Sequence, residues 1–261
     1  MAIKVAIANQ KGGVGKTTAA LCISDALIHC GYNTLMVDLD PQCNTTSIYK
    51  AKIEGECTAY DLFVKECEPQ EAIQKTDFGD IIAGDPAISG QEAVIKGQPG
   101  GYFIIKEALE AIEKDYDFII MDTPPNLGSF MLNALTAADG CIIPIRAEKF
   151  AIDGLKLLID TINEAKKYQN KDLKIYGVLM SMYDMRTSLG KNVWNALPEM
   201  GDKYGFPVFK TAIRTCQVIQ DSQAEGQSLF EMDKRCNAAV DYANVVKELL
   251  EVSYGKSSNS R

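Results

Sequence analysis

An α/β fold built on a doubly wound, mostly parallel sheet is the class this sequence predicts, and three observations carry that prediction. Short apolar runs alternate with stretches of helical spacing along the whole chain. A glycine-rich loop, Lys11-Gly12-Gly13-Val14-Gly15-Lys16-Thr17-Thr18, joins the first apolar run to the first helical one. Two later apolar runs end in carboxylates, Asp38 and Asp122. In an open α/β sheet, ligands gather outside the carboxyl ends of the parallel strands, so these groups converge on one region.

The elements follow in order. Ile3, Val5 and Ile7 alternate in a strand over residues 2–8, and Ala20, Ile23 and Leu27 mark the helix after the glycine loop. Gly31 punctuates a turn before a buried strand over 34–38, which runs into Leu39-Asp40-Pro41-Gln42. Residues 44–116 are the least informative stretch. There, 58–65, 69–75 and 86–96 read as short helices, 79–84 as a strand, 97–101 as a loop and 102–114 as a helix. The run 116–122 is a strand ending in Asp122, followed by Thr123-Pro124-Pro125. Strands over 140–145 and 174–181 alternate with helices over 150–168 and 189–204, and 207–210 reads as a short strand. A last helix spans 237–252, with Ala239, Tyr242, Ala243, Val246 and Leu250 on its apolar face and Asp241, Glu248 and Glu251 expected on the exposed one.

Bulk properties narrow the class. The chain has 261 residues, 46% of them hydrophobic, enough for a sizeable core. With no linker or repeat in view, residues 1–254 are expected to form one domain and 255–261 a disordered polar tail. No apolar run nears the roughly 20 residues of a membrane span, and no signal peptide is visible, so a cytoplasmic location without membrane contact is expected. Eight cysteines without a C-x-x-C pair, and a single histidine, His29, point to reduced thiols filling core and helices. The net charge of −8 argues against a general affinity for polyanions. Residues 180–236, however, balance seven basic against seven acidic side chains, which leaves room for a local basic face.

The glycine loop has the chemistry of a phosphate cradle. Backbone N–H groups aimed into one concavity at a helix N-terminus suit a polyphosphate, and Gly12, Gly13 and Gly15 keep side chains out of the way. Lys16 supplies a cation for the β- and γ-phosphates, and the Thr17 hydroxyl can ligate Mg²⁺. The pattern departs from G-x-x-x-x-G-K-[ST]: Gln10 stands where the first glycine belongs, and Lys11 is an added lysine. Asp38 can hold Mg²⁺ through water, and Asp40 can approach the γ-phosphate and orient the attacking water. Asp122, at the end of its strand, has the place of a Walker B carboxylate. The loop after it, residues 126–130, would face the γ-phosphate and could move with nucleotide state.

Taken together, these motifs resemble the ParA/Soj family of partition ATPases, P-loop NTPases with a deviant Walker A motif. The resemblance rests on residues 11–18, 37–42, 121–128, 132–139, 144–154 and 180–189, and it spans essentially the whole chain. It is to the small form, which lacks an N-terminal helix-turn-helix domain. It implies binding of ATP and Mg²⁺, face-to-face closure of a homodimer over the nucleotides, and non-specific DNA binding by the ATP dimer on the nucleoid. It also implies slow hydrolysis stimulated by a ParB-like centromere-binding partner. Lys11 would contact the partner subunit's phosphates, Lys16 and Thr17 the bound phosphates and metal, and Thr18 the α-phosphate. Gly12, Gly13, Val14 and Gly15 would complete the nucleotide cradle, Asp40 would activate water, and Asp38 and Asp122 would support the metal.

Arg186 matches an arginine that in this family faces DNA phosphates. Arg214 is the one basic residue left near a segment that is arginine-rich in relatives, and Val218 stands at the second arginine's place. Three alternatives remain: a ParA-like positioner of a protein cargo, a MinD-like membrane positioner, and an iron–sulfur scaffold ATPase. The second would need a basic amphipathic C-terminal helix. The third would need cysteines in the loops facing the γ-phosphate, and residues 123–132 contain none.

Overall fold

A computed structural model of the chain describes residues 1–149 and 151–255. The sheet has seven strands in the order β3-β4-β2-β5-β1-β6-β7. They are β1 (Ile3–Ile7), β2 (Thr34–Asp38), β3 (Ile73–Thr76), β4 (Gly79–Ile82), β5 (Phe118–Asp122), β6 (Gly140–Arg146) and β7 (Lys174–Ser181). All pairings are parallel except β3 with β4. The chain leaves β1 for β2 on one side, while β6 and β7 build out on the other. The carboxyl end of β1 is therefore a topological switch point, the place where such sheets bind ligands.

Helices cover both faces. On one, α1 (Lys16–His29) and α11 (Asn237–Ser253) pack against Val5, Ile7, Met36, Phe118 and Ile120. On the other, α5 (Ile104–Ile112), α6 (Ser129–Ala137), α7 (Ala151–Tyr168) and α8 (Ser188–Tyr204) cover Ala6, Ala8, Leu35, Ile119 and Met121. Alternate residues of each central strand thus feed two separate cores, which is why these strands read as continuous apolar runs.

Several expectations need correction. Residues 69–75 do not form a helix: a turn at Glu68–Glu71 leads into β3, whose four residues gain their identity from antiparallel pairing with β4. The helix expected over 86–96 divides into a 3-10 segment at Pro86–Gln91 and α4 (Glu92–Gly97). The strand expected at 207–210 reduces to a single bridge between Val208 and Val178. Three short helices went unanticipated: α2 (Asn44–Ile48), α9 (Gln217–Glu225) and α10 (Leu229–Asp233). With α3 (Ala59–Val64), capped by Thr58 and Asp61, they complete the set.

Asp241 is buried rather than on the outer face of α11, because it accepts hydrogen bonds from Arg214. Glu248, half-buried, accepts from the Lys210 and Thr211 N–H groups and the Thr211 hydroxyl. Two acidic side chains of α11 thereby tie down the segment that follows the Val208 bridge. Phe150 and the tail residues 256–261 lie outside the described residues. All eight cysteines are free thiols. Among the described residues, no helix is long and apolar enough to cross a membrane.

Candidate nucleotide site

The glycine loop lies at the carboxyl end of β1 and turns directly into α1. Gly13 and Gly15 have φ of 72° and 89°, the left-handed region that a side chain would strain. The loop is fixed at its entry by Asn9, whose amide donates to the Pro144 carbonyl at 2.7 Å and whose oxygen accepts from the Lys11 N–H. Val14 is buried. Gln10, the residue that replaces a glycine, donates to the carbonyl of Gly154 in the first turn of α7 at 3.0 Å. The Lys11 stem lies against the same residue: a methyl group at Gly154 would sit 3.0 Å from Lys11 Cε.

Lys16 is buried, and its ammonium donates to the Lys11 carbonyl at 3.0 Å. Burial lowers its pKa, and the charges of Asp122 and Asp40 oppose that shift. A cavity of about 290 Å³ opens here, lined by Gly12, Lys16, Thr17, Thr18, Asp40 and Pro125 among others. It adjoins a second cavity of about 700 Å³ with which it shares Gly15, Thr18 and Met182. The long cleft has a phosphate-sized end at the glycine loop and a roomier end walled by Ser181, Thr215, Gln223 and Tyr242.

Sheet register brings the carboxylates together. Asp38 and Asp122 are direct partners across β2 and β5, and Asp122 is also opposite Ile7 at the end of β1. Both are fully buried. Asp38 Oδ1 accepts from the Asp40 N–H, and Oδ2 accepts from Thr46 N–H and hydroxyl at 2.9 and 2.7 Å. Asp122 Oδ2 accepts from the Thr45 hydroxyl at 2.9 Å, while Oδ1 has no hydrogen-bond partner. Burial pushes the Asp38 carboxyl up to about 6 and that of Asp122 up to about 7, the latter reinforced by the charge of Asp38. Asp40, on the loop between them and the glycine loop, accepts from the Gln42 N–H through Oδ1.

An orphaned buried carboxylate oxygen beside a threonine hydroxyl and a phosphate-sized cavity fits Mg²⁺, a hard cation that takes oxygen ligands. Among the described residues no three of His, Cys, Asp and Glu converge to hold a metal by themselves. The donors here suit a cation that shares its ligands with water and nucleotide phosphates.

The structure therefore brings together Lys11, Lys16, Thr17, Thr18, Asp38, Asp40 and Asp122. It places Arg214 in the wall of the larger cavity and Arg186 on the exposed surface beside Asp184, away from the glycine loop. Arg186 pairs with Asp184 at 2.8 Å and stays 86% exposed. Arg214 is held by Asp241 at 2.6 Å and by the Asn237 carbonyl. Sequence reasoning missed Thr45 and Thr46 and, Arg214 aside, the residues of the roomier end. Ser181 Oγ is buried there without a hydrogen-bond partner, Met182 has φ of 51°, and Gln223 donates to Thr18. Ser181 and Met182 lie in the 180–189 motif, but that motif does not show that they meet Thr18 and Gln223, since the fold assembles this end from distant segments.

Comparison with known proteins bears on the same arrangement. A family profile described as an AAA domain matches residues 2–175. The chain is 37% identical over 250 residues to the sporulation initiation inhibitor protein Soj of Bacillus subtilis, covering 94% of this chain and 97% of that one. It is 33% identical over 251 residues to the chromosome partitioning protein ParA of Caulobacter vibrioides, covering 94% and 93%. Among solved structures, a cobyrinic acid a,c-diamide synthase from Mycobacterium smegmatis with bound ADP and magnesium superposes with a TM-score of 0.83 at 31% identity, covering 96% and 95%.

Proposed function

The chain belongs to the ParA/Soj family of partitioning ATPases, and from that premise we propose that it is a nucleotide-gated dimer that binds DNA non-specifically and is reset by a ParB-like partner. The observation that carries the reading is the pairing of Asp38 with Asp122 across adjacent strands, beside a glycine loop whose lysine is buried. Residues 1–254 act as one ATPase unit in this reading.

Each residue has a role in the cycle. Lys16 exchanges its bond to the Lys11 carbonyl for the β- and γ-phosphates, which restores a charged partner to a desolvated ammonium. Gly12 to Gly15 and Thr18 line the phosphate path. Thr17, Asp38 and Asp122 are the residues that would hold Mg²⁺ and its waters. When bound, that ion neutralises charge on the phosphate oxygens. Asp40 orients the attacking water. Lys11, seated on α7, turns to the nucleotide of the partner subunit when two copies close. Arg186 is the DNA-facing cation of the closed dimer, associated with the nucleoid, and Arg214 joins it only by exchanging Asp241 for a phosphate.

The test is a DNA-binding titration with ADP and with ATP at two salt concentrations, using wild type and Asp40→Ala. The expected result is ATP-dependent binding that falls steeply with salt, with the variant trapped in the DNA-bound dimer. If ATP produces a dimer that ignores DNA at low salt, the cargo-positioning reading replaces this one. A ParB-like partner is tested separately, by stimulation of turnover in the presence of DNA.

A further inference from the structure

Helix α2 is unusual in what it turns inward. Its two fully buried residues are Thr45 and Thr46, where a helix docked by apolar packing alone would place aliphatic side chains. Each threonine takes one carboxylate. The Thr45 hydroxyl donates to Asp122 Oδ2, and the Thr46 N–H and hydroxyl both donate to Asp38 Oδ2. The Thr46 oxygen in turn accepts from the Gly84 N–H at 2.7 Å, which ties the clamp to the end of β4. The approach is close, because a methyl group at Gly84 would come 3.0 Å from Asp38 Cγ.

The same helix is bonded to the loop that carries Asp40. The Cys43 N–H donates to the Asp40 carbonyl, and Cys43 enters α2 with φ of 53°. At the other end of this turn, the Asp40 N–H donates to Asp38 Oδ1. Asp38, Asp40 and α2 thus form one closed hydrogen-bonded ring, from which Thr45 reaches out to Asp122, and neither carboxylate can rotate without disturbing a threonine. A hydroxyl on a buried carboxylate fixes which lone pairs remain for another ligand, and here the oxygen left over is Asp122 Oδ1.

We propose that Thr45 and Thr46 are positioning residues that aim the two carboxylates for metal-dependent nucleotide binding and couple their setting to the Asp40 loop. The proposal rests on the reading of Asp38 and Asp122 as metal-side groups. It assigns the hydroxyls a role that an isosteric methyl cannot fill.

The experiment measures the affinity of a fluorescent ADP with Mg²⁺ and with EDTA, and takes the ratio as the metal enhancement. Thr45→Val and Thr46→Val are each expected to cut that enhancement about tenfold or more, while the EDTA affinity stays at the wild-type value. Thr45→Ser and Thr46→Ser, which keep the hydroxyl, are expected to retain it. Where a valine variant does not fold, as judged by its thermal transition, the alanine variant at that position repeats the comparison.

Wild-type enhancement in the hydroxyl-free variants overturns the proposal, as does an equal loss in the serine variants, which would make the threonine methyls the working groups. Asp122→Asn separates the two levels. If it loses the enhancement while the valine variants keep it, only the clamp is wrong. If it too keeps the enhancement, the metal-side reading fails and takes the clamp with it.

Discussion

Arg214 lays its guanidinium along the buried carboxylate of Asp241, with Nη2 2.6 Å from Oδ1 and Nε 2.9 Å from Oδ2, and its own N–H bonds to the same group at 3.0 Å. This fork–fork pair anchors the 210–216 segment to α11. Arg214→Ala should therefore lower stability by about 1–3 kcal/mol, because it leaves a buried carboxylate with a single backbone donor. Urea unfolding checks this. A variant as stable as wild type would mean that the arginine is held only loosely and is available to another anion.

Arg186 should behave differently. Its ion pair with Asp184 is exposed and two residues apart in sequence, so it contributes little to stability. Arg186→Ala should leave the thermal transition unchanged. In a DNA titration it should weaken binding and shallow the salt dependence by about one ion per subunit. Asp184→Ala should act in the opposite direction and tighten binding, since it frees the guanidinium from a competing carboxylate. If Asp184→Ala also weakens binding, the pair serves to orient the loop rather than to regulate its charge.

How much of this was legible beforehand depended on sequence distance. The glycine loop and the strand-end carboxylates are local patterns, and the parallel sheet followed from them. That Asp38 and Asp122 are direct partners is a matter of register between β2 and β5, which no local pattern encodes. Thr45 and Thr46 fall at the start of the least informative stretch, and their meaning lies in partners on other strands. Edge strand β3 carries Gln74 and Lys75 and looks helical until β4 is beside it. Asp241 fell on the polar face by helical spacing, yet Arg214 draws it into the protein. The long-range polar contacts were the unreadable part.

Lys16 should matter for nucleotide binding itself and Lys11 only for closure. Lys16 is buried and donates to the Lys11 carbonyl, a partner it can exchange for phosphate. Lys16→Ala should reduce ADP affinity about 10- to 100-fold, the worth of a charge-assisted bond. Lys11→Ala should keep ADP binding near wild type but lose ATP-dependent dimerisation in analytical ultracentrifugation. ATP-dependent dimers of Lys16→Ala would remove the glycine loop from the site. ATP dimers of Lys11→Ala would confine that lysine to its own subunit.

The carboxylate pair predicts a distinctive response to pH in the absence of metal. Burial raises the pair to about 6 and about 7, above the ordinary carboxylate range near 4. Between those values the folded protein holds protons that the unfolded chain releases. The pair's contribution to stability is thus fully present below about pH 4 and is lost as pH rises through about 6 to 7. Asp122→Asn removes the charge at the end of β5 and relieves that loss for both members. In EDTA, the stability of the variant relative to wild type should climb from pH 5 to pH 8, by at most about 1.4 kcal/mol per pH unit for each proton involved. Thermal unfolding across that range measures it. A difference that stays flat, or that falls with pH, would mean that the two carboxylates are already ionised without metal, with Lys16 close enough to sustain both charges.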